Sequence, residues 1–347
     1  MNHRLEDKNN HYKVLITILC TTLILSLILA LWFGAVAINI TNIFIENTHN
    51  SLNSIILNLR LPRILLAALV GALLAACGVI MQALFRNPLA DPSLIGVTAG
   101  ASLGASVSIF FASHILSNAF ISYFFTEFIV ISIGAFSGGI IAVSLVYTLA
   151  KRNRYNATSV STMLLAGIAI GALAAGVSSL LDFYANNDTL RRLSLWRMGS
   201  MDGASYVAVA IMTMFLVFFL IIKNRYADIL NALLLGESQA RFLGIDTDKI
   251  TKQLIIFVTL VTAVSVALCG TISFVGLIVP HMMRTITGAN HHRLLNTCLM
   301  AGAILLVSAD LISRILSPPI QFPIGIITAL IGAPFFLSIL AKNIHKA

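Results

Sequence analysis

The sequence predicts an all-α polytopic membrane protein of about ten transmembrane helices. Three observations carry this. Hydrophobic residues make up 58% of the 347 residues and charged residues only 10%, more apolar side chain than a soluble domain of this size can bury. Mean hydropathy is +0.95. Nearly every long segment is an apolar run of membrane-spanning length closed by a short polar break. The net charge of +9 then reads as basic loops on one side of a membrane, not as a nucleic-acid surface. The whole chain, 1–347, reads as one membrane domain.

The spans follow in order. Arg4, Lys8 and Lys13 precede a first apolar run over about 14–37. Its end, Ala35-Val36-Ala37, has the small residues of a leader cleavage site, but the run is longer than a leader's apolar core, which favours a retained span. The second span covers 64–85 and ends in FRNPLADP. The third covers about 93–112, the fourth 122–150, the fifth 158–181 and the sixth 206–222. A polar segment, 182–205, separates the fifth from the sixth. Leu254 to Met283 is a stretch of about thirty residues without a charge, either one tilted helix or two, with Gly270 and Pro280 as candidate breaks. The last spans cover about 294–316 and 323–341.

Charge chooses between one helix and two. With two, ten spans leave both termini cytoplasmic, with sixteen Lys and Arg inside and six outside. With one, the split is thirteen to nine. The positive-inside rule favours ten. Small residues recur every four positions at Gly96, Gly100 and Gly104, at Gly134 and Gly138, and at Gly167, Gly171 and Ala175. Such stripes let helix backbones approach closely. The four cysteines lie in apolar runs without a CxxC pair, and His291-His292 lacks carboxylate or cysteine company at ligand spacing. No metal site or cofactor is expected.

The polar stretch 223–253 is the organising feature. Ile229, Leu233 and Leu234 share one helical face, with Asp228, Asn231 and Glu237 on the others. A solvated loop fits this spacing, and so does a docking helix for a cytoplasmic partner. In the second reading Leu233 to Leu243 forms a short helix, with Gly236 and Gly244 letting the chain enter and leave sharply. Glu237 and Arg241 stand four apart in the favourable order for a helical pair. Contact with the partner is the other option for them.

On the outer side all six basic residues are arginine: Arg60, Arg63, Arg191, Arg192, Arg197 and Arg314. Arg60 and Arg63 flank Leu61-Pro62 at the outer end of the second span. Arg314 stands at the outer end of the ninth, four residues after Asp310, an intramembrane acid whose natural partner it is. Bidentate docking of carboxylates and snorkelling to lipid phosphates both suit these arginines. There is no GxxxxGK[ST] loop, HExxH or GxSxG, and no set of membrane carboxylates forms a proton relay. No catalytic residue is expected, and a driven transporter of this kind takes its energy from a partner.

LRLPRILLAALVGALLAACGVIMQALFRNPLADPSLIGVTAGASLGA, Leu59 to Ala105, resembles the signature region of the FecCD family. These are permease subunits of bacterial ABC importers for ferric siderophores, haem and cobalamin. LLLGESQARFLGI (Leu233 to Ile245) resembles the family's ATPase-coupling loop, GTISFVGLIVPHMMR (Gly270 to Arg284) its broken eighth helix, and SADLISR with PIGIITALIGAPFFLSIL its C-terminal pair.

The resemblance implies a type II ABC importer permease fold in the bacterial inner membrane. It implies two cytoplasmic ATPase subunits, a periplasmic binding protein and a second permease copy. It places ATPase coupling on Leu233, Leu234, Gly236, Glu237, Ala240, Arg241 and Gly244, and binding-protein docking on Arg60, Arg63 and Arg314. Leu190 to Tyr206 resembles the corresponding segment of haem permeases more than that of cobalamin ones, and a ferric siderophore stays close behind as ligand. A cobalamin permease is the alternative, and an ion-coupled secondary transporter is the reading from another class.

Overall fold

The computed structural model describes residues 2–34, 54–116, 126–151, 160–316, 318 and 321–344. Ala35-Val36-Ala37 lies outside the described residues, as do the loop charges Arg152, Arg154 and Lys346. Among the described residues there are twelve α-helices and no strand. They are α1 Asn2–Trp32, α2 Leu61–Leu84, α3 Val97–Leu116, α4 Glu127–Ala150, α5 Val160–Tyr184, α6 Asn187–Arg197, α7 Tyr206–Leu234, α8 Glu237–Phe242, α9 Thr247–Cys269, α10 Val275–Thr287, α11 His291–Ile315 and α12 Ile324–Ile344. A π-helical turn, Ile55–Arg60, leads into α2, and a 3-10 turn, Pro92–Ile95, precedes α3.

Seven of the helices are long and apolar enough to cross a membrane, and two shorter apolar segments lie in α3 and α12. With α10 as a short tenth, this is the expected all-α permease architecture. Local signals set several starts. Asn186, Asp246 and Asn290 cap α6, α9 and α11 by accepting from the backbone N–H of Thr189, Lys249 and His292 at 2.9, 3.0 and 2.9 Å.

The stretch 254–283 holds two helices. α9 ends at Cys269, Gly270 takes φ +67°, and α10 starts after Phe274, itself at φ +69°. Pro280, the other candidate break, lies inside α10 instead. It has no N–H for the Gly276 carbonyl one turn back. That carbonyl lies against Gly78, where an added Cβ would come within 1.8 Å of it. A neighbouring backbone thus fills the gap left by the missing bond. The polar stretch 223–253 is mostly helix as well: α7 runs twelve residues past the expected end of its span, to Leu234.

The helices sort into two compact units, 1–79 with 204–231 and 273–347, and 80–203 with 232–272. In the first, α2 is largely buried. α1 packs on α11, and α10 on α11 and α12. Polar contacts join α1, α7 and α11. Lys223 Nζ donates to Asn296 Oδ1 at 2.6 Å, and Asn296 Nδ2 donates to the Tyr12 hydroxyl at 3.3 Å. The histidine pair belongs to the same joint: His291 N–H donates to Asn231 Oδ1 at 2.9 Å, and His292 Nε2 meets Asp228 Oδ1 at 2.7 Å.

In the second unit, α3 and α4 meet along their glycine stripes. A Cβ on Gly104 would lie 2.0 Å from the Gly134 carbonyl, and one on Gly138 would lie 2.3 Å from that of Gly100. Backbone therefore touches backbone. Gly96, expected on the same stripe, instead caps the 3-10 turn at φ +78° and stands outside the helix. Ala101, Ala105, Ala135, Val266 and Ala267 form a buried core, with Trp196 of α6 packed against it. Arg197 anchors α6 by donating to Asp182 at 2.6 and 2.9 Å and to Ser106 Oγ at 3.0 Å.

Candidate functional site

Two groups of residues carry the sequence expectations, one in each unit. In the first unit Asp310 stands on α11 with both carboxylate oxygens occupied. Arg63 Nε donates to Oδ1 at 2.7 Å, and Arg314 Nε donates to Oδ2 at 2.9 Å. The expected Asp310–Arg314 pair is present, and Arg63 completes a triad. Arg63 Nη1 also donates to Gln321 Oε1 at 2.6 Å.

Other donors of the group turn to the C-terminal end of α1. Arg60 Nη1 donates to the carbonyls of Leu31 and Trp32 at 2.7 and 2.9 Å. Arg314 donates to those of Phe33 and Ala30, both at 3.1 Å. Those of Ala30, Leu31 and Trp32 belong to the last turn, whose carbonyls a helix leaves without intrahelical partners at the negative end of its dipole, and Phe33 follows directly. Two arginines on other helices satisfy them and cap α1.

Arg60, Arg63 and Arg314 are 6%, 9% and 4% exposed, and Asp310 is fully buried. They do not snorkel outward; their charge is held among helix ends. Arg63 and Arg314 share the one carboxylate of Asp310, and Arg60 stands beside them on the α1 carbonyls.

In the second unit the expected coupling residues gather at the end of α7. α8 covers only Glu237 to Phe242, shorter than the expected 233–243, because Leu233 and Leu234 complete α7. The chain turns at Leu235 and at Gly236, which has φ +114°. α8 closes with Ile245 N–H donating to Ala240 O at 3.1 Å and Gly244 N–H to Arg241 O at 2.9 Å. This paired pattern requires a left-handed residue, and Gly244 supplies it at φ +81°.

Glu237 and Arg241 do not pair with each other. Glu237 Oε1 accepts from Arg86 Nη2 at 3.1 Å. Arg241 donates to Thr247 Oγ1 at 2.8 Å and to Asp248 Oδ2 at 3.1 Å. The tertiary partners win because α8 has a single turn and a half, and each side chain reaches a neighbouring element more directly than the next turn. Ala240 and Leu233 are buried, which seats the short helix.

What stays open is apolar. Leu234 is 50% exposed, Leu235 66%, Leu243 65% and Phe242 90%. Phe242 was not among the residues singled out from the sequence, nor was Arg86; only its loop, FRNPLADP, drew notice. Arg86 takes φ +47°, a conformation rare for a residue with a side chain. In the same loop burial pushes the Asp91 carboxyl above its ordinary range, against the pull of its hydrogen bond from Ser93.

Comparison with known proteins agrees with this architecture. The model of the FecCD transport family matches residues 22–342. The hemin transport system permease protein of Yersinia pestis is 36% identical over 327 residues, covering 92% of this chain and 94% of that protein. The cobalamin import system permease protein of Halobacterium salinarum is 39% identical over 289 residues, 83% of this chain and 74% of that one. The solved inward-facing conformation of a metal-chelate type ABC transporter shares 31% identity at a TM-score of 0.78, covering 94% of this chain and 98% of that one. The chain is therefore a multi-pass membrane permease and belongs to the FecCD transport family.

Proposed function

We propose that this chain is the membrane subunit of an ATP-driven importer that moves an iron chelate from periplasm to cytoplasm across a bacterial inner membrane. Haem is the first candidate ligand and a ferric siderophore the second. The permease protein of a hemin system is similar over nearly the whole chain, which supports that order; a corrinoid is the alternative. Both termini lie in the cytoplasm, following the excess of Lys and Arg on that side. The chain hydrolyses no nucleotide itself. Two ATPase subunits do so, and two permease copies stand side by side.

The observation that carries this reading is the apolar surface of Leu234, Leu235, Phe242 and Leu243 around a short helix clamped by Arg86 and Asp248. Exposed apolar side chains grouped beside charged ones, beyond the end of a span, mark a protein contact. The ATPase covers them, with Leu233, Gly236, Glu237, Ala240, Arg241 and Gly244 shaping the seat. The binding protein docks where Arg60, Arg63 and Arg314 gather. Guanidiniums at that end suit the carboxylates of an acidic face.

The test is reconstitution of the permease in proteoliposomes with its ATPase and binding protein, supplied in turn with haem, a ferric siderophore and cobalamin. ATP-dependent uptake of an iron ligand is the expected result. Uptake that needs an ion gradient and no ATPase would establish the secondary-transporter reading instead.

A further inference from the structure

A trough of about 420 Å³ runs between α4 and α9. Ser132 Oγ donates to Ala267 O at 3.0 Å, which fixes the two helices antiparallel. Tyr147 therefore stands across from Lys252, and Ile140 across from Leu260. From Lys252 to Leu260 the trough extends about 12 Å at the usual helical rise.

Its two ends differ in chemistry. Lys252 and Tyr147 frame one end, and Ile140, Val143, Ile256 and Leu260 line the other. Both lining threonines spend their hydroxyls on their own helices: Thr259 donates to Ile255 O at 2.7 Å and Thr148 to Leu145 O at 2.9 Å. Lys249 and Lys151 lie one turn from the framing pair and are exposed. The nearby acids are engaged elsewhere, Asp248 with Arg241 and Asp246 as the cap of α9. Three lysines outweigh the carbonyl end of α4, so the polar end favours an anion.

Both helices belong to the membrane-spanning set. Among the trough residues Ile256 is 48% exposed, and Ser144 and Thr148 are exposed as well. Hydrocarbon surrounds such surface in a bilayer. We propose that the trough holds one anionic phospholipid, its phosphate on Lys252 beside the Tyr147 hydroxyl and an acyl chain laid along Ile140, Val143 and Ile256. Basic pockets between spanning helices suit such headgroups. The lipid lines α9 just after the segment that carries α8, so its occupancy stiffens the support of that segment.

Native mass spectrometry of the purified permease tests this, with three probes: phosphatidylglycerol, phosphatidylcholine of the same chains, and glycerol phosphate. The expected result is a discrete phosphatidylglycerol adduct that outcompetes phosphatidylcholine. Lys252→Gln should weaken it about fivefold, the loss of one lysine near a charged headgroup. Ile256→Trp, at a half-exposed position, should fill the trough and remove the adduct without unfolding the chain. Equal binding of the two lipids overturns the proposal, as does an unchanged phosphatidylglycerol affinity in both variants. Equal binding of glycerol phosphate and lipid would overturn the lipid assignment, leaving a site for a free phosphate.

Discussion

Asp310 and Glu237 each bind an arginine, yet the two pairs do opposite work. Asp310 is buried, holds two arginines and is locked with the end of α1. Glu237 is about half exposed, as is its partner Arg86. A charge pair taken out of water must be complete, since removing one member leaves a desolvated charge behind. A pair in water contributes little and can be exchanged for another partner. The first arrangement suits a joint that does not move, and the second a surface that engages another protein. Substitutions in the two clusters should separate along this line, beginning with the largest loss of folding stability.

Asp310→Asn should cost about 3–5 kcal/mol, because Arg63 and Arg314 would remain buried without their counter-ion. Thermal unfolding in detergent measures it. A loss below about 1 kcal/mol would show that Gln321 for Arg63 and the α1 carbonyls for Arg314 suffice without the carboxylate.

Arg60→Gln should cost less, about 1.5–3 kcal/mol, the range for hydrogen bonds to a charged group. Arg60 donates to the Leu31 and Trp32 carbonyls, so the end of α1 loses two hydrogen bonds. Titration of the binding protein on the same variant separates two roles. Weaker binding supports docking at this end. Lower stability with unchanged affinity reduces Arg60 to a cap.

Part of this pattern was legible in the sequence. Asp310 and Arg314 are four apart on one helix, so their pairing follows from helical geometry. The loop charges called for two helices in 254–283, and a break at Gly270 allows them. The glycine spacing of α3 and α4 foretold their contact. The cap on α1 was not legible, because its acceptors are backbone carbonyls, which every residue carries. Arg314 also reaches them across more than 280 positions of chain. Glu237 and Arg241 misled for a related reason. Their spacing was right for a pair, but Arg86 and Asp248 come from elements whose proximity only the fold creates.

Arg86 gives a smaller, sharper contrast. Its left-handed backbone carries a steric penalty of about 1–2 kcal/mol for a residue with a Cβ. Arg86→Ala loses the exposed pair with Glu237 and keeps the strain. Arg86→Gly loses the same pair and relieves it. The glycine variant should therefore be more stable than the alanine variant by about 1 kcal/mol. Equal stability of the two would mean that the turn relaxes out of the left-handed region when the arginine is gone.

Phe242→Asp should have the smallest effect on folding and the largest on coupling. The side chain is 90% exposed, and substitutions at such positions away from buried partners change stability by no more than about 0.5 kcal/mol. Leu234→Asp, at a half-exposed position, should behave in the same direction with a somewhat larger folding cost. Neither residue supports α8, which is held through Ala240, Arg86 and Asp248. If a partner ATPase covers this surface, an aspartate there meets apolar side chains and must be desolvated without a counter-charge. The permease would then fold and insert while losing co-purification of the ATPase and ATP-driven uptake together. Wild-type unfolding temperature, wild-type ATPase recovery and wild-type uptake in both variants would show that α8 is not the coupling element. The exposed leucines and Phe242 would then need another occupant.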